Sequence, residues 1–308
     1  AYSTVSTLAG HISHRQSAIT GSCKLCLSAI NNRTTIVAAE IEGNALISVE
    51  SQVKSRGTVR LAGCNTNFLG QVQVMNSGSS SLEYRPTLEF TCPEALGGPL
   101  EDAHYDYHLV QGYAQLWPVN SMTLDRENCG FFVNGPCSVH CTNGIEFILK
   151  EHTTWKGEMT KTGVGTLELT SANLFANTFI SSNGYLNAKS DSCFGSGTVK
   201  LCGNSATNTF YGVTVPNAIE ILDTSTTQVQ LKLVDYTTNV FNGAITPNYR
   251  INMSVPAHAC MCVNGGITKG YLNLAGTGTY VFGGKPLKIT DRTRTDSAVT
   301  LIFRVAGN

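Results

Sequence analysis

The chain has 308 residues, of which 42% are hydrophobic, so it is long and apolar enough to bury a core. Only 14% are charged, with 21 basic side chains balancing 21 acidic ones, and no apolar run approaches the ~20 residues of a membrane helix. Neither nucleic acid nor a transmembrane segment is therefore expected. Most of the polarity comes from Ser, Thr, Asn and 30 Gly, a mixture typical of short strands joined by turns.

The first 16 residues fit no repeated phrase and are predicted to form an N-terminal cap or an arm. If they form an arm, a neighbouring copy would receive it through Ala1, Tyr2, Val5 and Leu8. The segment has neither the basic nor the apolar region of a secretion signal, so any such signal is expected to have been removed.

Two phrases recur in residues 17–98 and 151–308, which are predicted to be the repeat blocks. The first is a glycine followed by an alternating strand, at residues 57–63, 165–170, 197–203 and 270–276. The second is aromatic-x-Gly, at Phe68, Trp155, Phe210, Phe241 and Phe282. One such unit cannot bury its apolar face alone, so stacked coils around a continuous core are predicted.

Residues 161–173, continuing through 177–180, 184–186 and 194–199, resemble the autotransporter-associated β-strand repeat of bacterial surface proteins. A more degenerate copy follows from Gly57. The resemblance implies an all-β fold, a right-handed parallel β-helix or β-solenoid with irregular repeats. It also implies an extracellular or cell-surface location.

Between residues 99 and 150 the two repeated phrases are no longer recognisable, which predicts degenerate coils or an insertion. Here His104, Asp106 and His108 alternate, so on a strand they would share a face and could bind a first-row divalent metal, although exposed polar alternation gives the same pattern. Four aromatic residues of this region could stack on sugar rings or serve as core or ladder residues instead: Tyr105, Tyr107, Tyr113 and Trp117.

The chain holds 11 cysteines, an odd number that leaves at least one unpaired or bonded to another chain. Without zinc-ribbon spacing, most are predicted to form disulfides or buried apolar contacts in an oxidising compartment. Cys23 and Cys26 are interpreted as a structural bridge rather than a redox pair, and one disulfide is expected among Cys129, Cys137 and Cys141. Cys193 and Cys202 complete the disulfide candidates.

A second possible metal site is His258, Cys260 and Cys262, whose imidazole and sulfurs would share a strand face. The alternative, which is preferred, is a pair of disulfides to neighbouring coils or a buried sulfur stack.

No motif of a hydrolase elbow, a zinc protease or a phosphate loop is present, so no catalytic residue, metal or cofactor is predicted. The leading hypothesis is a non-enzymatic structural or adhesive surface protein, possibly a filament subunit formed by strand pairing between copies. Its partners would then be other copies, surface glycans or a host receptor. The alternatives are a secreted β-helix carbohydrate-active enzyme, which would need clustered carboxylates on a groove, and a glycan-binding module.

Overall fold

The fold is all-β. A computed structural model describes residues 5–14, 24–28, 32–50, 56–75, 85–98, 109–125, 131–133, 135–150, 153–155, 157–172, 174–175, 177–223, 228–288, 293–295 and 298–304. Across these ranges the only helical segment is a short 3-10 turn, Pro93–Ala95, and no helix could span a membrane. The chain divides into two compact units, Ala1–Gly157 and Glu158–Asn308.

The first unit is built from parallel sheets whose neighbouring strands come from successive passes of the chain. One sheet runs in the order β1 (Val5–Leu8), β4 (Arg33–Val37), β7 (Gly57–Leu61), β9 (Thr87–Phe90), β11 (Gln115–Pro118) and β14 (Cys137–His140). A second runs β3 (Lys24–Ser28), β6 (Leu46–Glu50), β8 (Gln71–Met75), β10 (Leu109–Gly112), β13 (Phe131–Val133) and β16 (Thr153–Trp155). Two further parallel pairs join β2 (His11–His14) with β5 (Glu40–Gly43) and β12 (Met122–Leu124) with β15 (Glu146–Leu149).

The second unit repeats this arrangement with three parallel sheets. The first contains β17 (Met159–Thr162), β20 (Phe179–Ser182), β22 (Val199–Cys202), β25 (Ile219–Ile221) and β28 (Ile245–Pro247). The second contains β18 (Thr166–Leu169), β21 (Tyr185–Ala188), β23 (Ala206–Phe210), β26 (Val229–Leu233), β29 (Arg250–Val255), β31 (Tyr271–Gly276) and β33 (Thr293–Thr295). The third contains β24 (Thr214–Val215), β27 (Thr238–Phe241), β30 (Cys260–Val263), β32 (Thr279–Phe282) and β34 (Thr300–Phe303). β19 (Leu174–Phe175) is a further short strand.

The predicted β-solenoid is therefore confirmed. Several strands alternate between an inward apolar side chain and an outward one; in β26, Val229, Leu231 and Leu233 are buried between exposed Gln230 and Lys232. Parallel pairing then places the inward side chains of neighbouring strands side by side, as with Phe210 and Leu233. Edge-to-face contacts of Phe210 with Phe194 and with Phe241 join different parts of the core of the second unit.

Buried asparagines tie turns of successive coils to one another. In the first unit, the Asn65 side chain accepts a hydrogen bond from the Ile41 backbone N–H (2.8 Å) and donates one to the Ala95 carbonyl (2.7 Å). These bonds satisfy one backbone group of β5 and one of the 3-10 turn.

The predicted disulfides are wrong for the cysteines that can be assessed. None of the nine in the described ranges is disulfide-bonded, including Cys26, Cys137, Cys141, Cys193 and Cys202. Cysteines on strands follow the pleat: Cys137 points inward as a small apolar residue, while Cys260 and Cys262 point outward on one strand with their Sγ atoms 3.7 Å apart. Cys23 and Cys129 lie outside the described residues.

The N-terminal stretch and the predicted insertion both contribute strands to the first unit. Val5 and Leu8 belong to β1, which pairs in parallel with β4, while Ala1 and Tyr2 lie outside the described residues. The described part of residues 99–150 holds β10 to β15.

Candidate functional site

Three aromatic rings, two of them exposed and one half-buried, lie at one corner of the second unit. Tyr211 follows β23, Asp235 and Tyr236 follow β26, and His258 comes after β29, so these residues leave the same ends of neighbouring parallel strands. We call these four residues the aromatic corner. Its position on successive coils follows from parallel pairing, which brings equivalent turn positions side by side.

Tyr236 and His258 form a stacked pair at the centre of the corner. Their ring centroids are 4.4 Å apart and their planes differ by 6°. Tyr236 is 78% exposed, although exposed tyrosine rings lose hydrophobic free energy relative to buried ones. It also has a φ of 59°, the left-handed region that a bulky residue rarely adopts. Such strain at an exposed ring is a feature often found at binding sites.

Asp235 holds the His258 ring and the backbone of both aromatic residues. One of its carboxylate oxygens accepts hydrogen bonds from the backbone N–H groups of Tyr236 (3.1 Å) and His258 (3.0 Å). The His258 ring nitrogen Nδ1 lies 3.2 Å from each carboxylate oxygen. Partial desolvation opposes ionisation, but the bonds from the His258 ring and backbone and from Tyr236 outweigh it and lower the pKa of Asp235.

The turn beneath these rings is held by buried polar contacts. The Thr237 hydroxyl donates to the Val234 carbonyl (2.6 Å), and the buried Asn239 amide donates to the same hydroxyl (3.1 Å). The Asn239 side-chain oxygen in turn accepts from the Val213 N–H on the preceding coil (2.9 Å). The turn that carries Tyr236 is thus held in place by the fold, so a ligand would not have to order it.

Tyr211 extends the aromatic surface on the neighbouring coil. The Lys189 Nζ lies 4.9 Å from the centre of the Tyr211 ring and 2.9 Å from a carboxylate oxygen of Glu168. Lys189 and Glu168 thus place a cation and hydrogen-bonding groups beside the flat Tyr211 ring. This combination suits a ligand that has apolar faces and hydroxyl edges.

Of the predicted sugar-stacking residues, two fall in the described ranges, both in the first unit. Trp117 points outward from β11 and packs on His140 of β14, with ring centroids 4.5 Å apart. Tyr113 is half-buried, has a φ of 51° and lies against Gly135. Tyr105 and Tyr107 are outside the described residues, and so are the metal candidates His104, Asp106 and His108.

His258, Cys260 and Cys262 do not form a three-ligand group. Cys260 and Cys262 share the outer face of β30 with their Sγ atoms 3.7 Å apart, but the His258 ring is engaged by Asp235 and Tyr236. Within the described ranges, no three His, Cys, Asp or Glu side chains converge as metal ligands. Burial and the neighbouring Cys262 raise the pKa of Cys260 to about 11, and burial raises that of Cys193 to about 12, so both thiols are neutral near pH 7.

Sequence reasoning missed the aromatic corner because its three rings are more than twenty positions apart in the chain and lie in turns. The available signal was the spacing of Tyr211, Tyr236 and His258, each placed just after an alternating strand. No family model, curated protein or solved structure matches this chain.

Proposed function

We propose that this chain is a non-catalytic, adhesive β-solenoid of a cell surface that binds glycans through the aromatic corner. The stacked Tyr236–His258 pair carries this proposal, since the Tyr236 ring stays 78% exposed on a strained turn even though it packs on His258. We also propose that the coils are right-handed, as parallel crossovers almost always are, and that the chain is related to autotransporter passengers. The surface location is supported by the low charge and by that resemblance.

The chemistry of the corner fits a sugar better than a charged ligand. The apolar C–H face of a pyranose packs on a flat ring, as other apolar groups do, and its hydroxyls need fixed acceptors. A carboxylate has about four acceptor sites, and Asp235 Oδ2 receives only the His258 ring within the described contacts. Sugar hydroxyls could therefore donate to this oxygen while the ring covers Tyr236.

A glycan array probed with the full chain, followed by calorimetry on the glycans that bind, tests the proposal. Tyr236→Ala removes the central ring and is expected to weaken binding about tenfold, a loss near the upper end of one aromatic contact. Tyr185→Ala is the matched control, because Tyr185 is an exposed tyrosine (53%) of the same unit that lies at the opposite end of its strand.

Equal affinity of the Tyr236→Ala and Tyr185→Ala variants would exclude the corner as the binding site. An array without any bound glycan would refute the function itself. Release of reducing ends from a bound glycan would favour the carbohydrate-active enzyme instead.

A second candidate is self-association through β34, and one observation favours it. This strand pairs with β32 on one side and displays Leu301, Ile302 and Phe303, which are 39–62% exposed. An apolar strand edge is a template for another strand. Mass in solution and electron microscopy test this: Ile302→Lys should reduce assemblies to single chains, and a wild-type protein that is monomeric at high concentration would contradict it.

A further inference from the structure

The outer face of β30 carries two thiols at the spacing of metal ligands. Cys260 and Cys262 are two residues apart, so the pleat turns both sulfurs to the same side, 3.7 Å from each other. Two ligands of a tetrahedral ion with metal–sulfur bonds of about 2.3 Å are separated by about 3.8 Å. The two sulfurs therefore already form one edge of such a tetrahedron.

The strand is held rigidly on both sides. Cys260 pairs with Thr238 of β27 and Thr279 of β32, and Cys262 pairs with Val240 and Val281 of the same strands. Val281 is almost fully buried, so the side of the pair next to Cys262 is apolar, while exposed Thr238 leaves the Cys260 side open to solvent. A fixed ligand pair requires little reorganisation to take up an ion.

A disulfide between the two sulfurs is a poor alternative. Residues two apart on a strand have Cα atoms about 6.6–6.8 Å apart, at the upper limit for a disulfide. Closing the bond would bring the sulfurs from 3.7 Å to about 2.05 Å and would buckle a strand that is paired on both edges. The pair is thus expected to remain a dithiol.

We propose that Cys260 and Cys262 bind a thiophilic divalent ion of the zinc and cadmium type, with two further positions left to water or an external ligand. Each thiol loses its proton to solvent as the metal–sulfur bond forms, and the two thiolates neutralise the divalent charge. Because His258 is held by Asp235, the described part of the chain supplies two ligands and the site stays open to exchange.

Cadmium titration of the reduced full-length chain, followed by the ultraviolet charge-transfer band of cadmium–thiolate bonds, tests the site. Cys260→Ser and Cys262→Ser should each remove the same component of that band, equal to one ion per chain. Cys64→Ser is the matched control, because Cys64 is exposed and in the other unit, and it should leave this component unchanged.

A second measurement does not depend on a variant folding correctly. Alkylation of the wild-type chain with N-ethylmaleimide, mapped by peptide mass spectrometry, should be at least about tenfold slower at both cysteines when cadmium is present, because the bound thiolate is no longer a free nucleophile. Equal alkylation with and without cadmium would overturn the proposal. So would a Cys260–Cys262 disulfide in the purified chain, or one ion shared between two chains.

Discussion

Replacing Asn217 by Asp tests whether turn asparagines hold the coils of the second unit together. Asn217 is 5% exposed and precedes β25. Its amide nitrogen donates to the carbonyls of Gly195 (2.9 Å) and Gly197 (2.7 Å) in a turn of the preceding coil. An aspartate has nearly the same shape, but it turns this double donor into an acceptor facing two carbonyl oxygens.

The cost follows from the two states that the new carboxyl could adopt. If ionised, it loses two hydrogen bonds of about 1 kcal/mol each and buries a charge without a donor. If protonated, it keeps one bond, but holding a carboxyl of ordinary pKa about 3.9 neutral at pH 7 costs about 4 kcal/mol. Either state destabilises the fold by about 3–5 kcal/mol at pH 7.

The penalty must depend on pH in a defined direction. Burial raises the folded-state pKa of the new carboxyl, so the protonated form favours folding, and the loss shrinks to about 1–2 kcal/mol as pH falls toward 3. Asn217→Ala should instead cost about 2 kcal/mol at every pH, because it only removes the two donors.

Urea denaturation followed by circular dichroism at pH 7 and pH 3.5 measures these differences, each variant against wild type at the same pH. Asn204→Asp is the control, since Asn204 lies in an exposed turn of the same unit and should change stability by less than about 0.5 kcal/mol. If Asn217→Asp were as stable as this control at pH 7, the structural role of the amide would be refuted.

Three further tests use the same denaturation assay. Lys161→Met should cost about 2–3 kcal/mol, because fully buried Lys161 donates to the carbonyls of Gly163 (2.7 Å) and Asn183 (2.6 Å); an unchanged midpoint would count against this. Gly243→Ala should cost more than about 4 kcal/mol, since the new Cβ would lie 1.9 Å from the Asn217 carbonyl oxygen, whereas Gly144→Ala, with open space but a φ of 77°, should cost about 1 kcal/mol. Burial raises the pKa of Asp223, so the stability that its carboxyl contributes is present below the pKa of the unfolded state and is lost as pH rises through the pKa of the folded state. The free energy of unfolding of Asp223→Asn should therefore rise relative to that of wild type between pH 4 and pH 7. A difference between the two proteins that stays constant with pH would contradict this sign.

The predicted repeats identified strands but not their places in the solenoid. The Gly57 phrase is β7 and the Gly197 phrase is β22, which occupy the first sheet of their respective units. The Gly165 and Gly270 phrases, however, are β18 and β31, in a different sheet. A short alternating strand has the same pattern on any face of a coil, so the phrase alone cannot assign the face.

The sequence did not reveal the number of residues per coil either, because that number varies from coil to coil. Phe179, Val199, Ile219 and Ile245 are direct neighbours in the first sheet of the second unit, yet they are separated by 20, 20 and 26 residues. Turns between strands lengthen freely at the surface, so the chain keeps registry without a fixed period. This irregularity removes the periodic signal on which repeat detection relies.

The sequence by itself determined the class of fold. Low charge, abundant Gly, Thr and Asn, and short alternating apolar runs suffice to predict stacked parallel coils, because each strand has one face to bury. Only the tertiary structure decided which surface residues meet. Tyr236 and His258 stack, and Asp235 orients them, because parallel pairing aligns turns from separate coils. Among the described cysteines, none of which is disulfide-bonded, those on strands follow the same rule, since the direction of the side chain depends on the register of the strand.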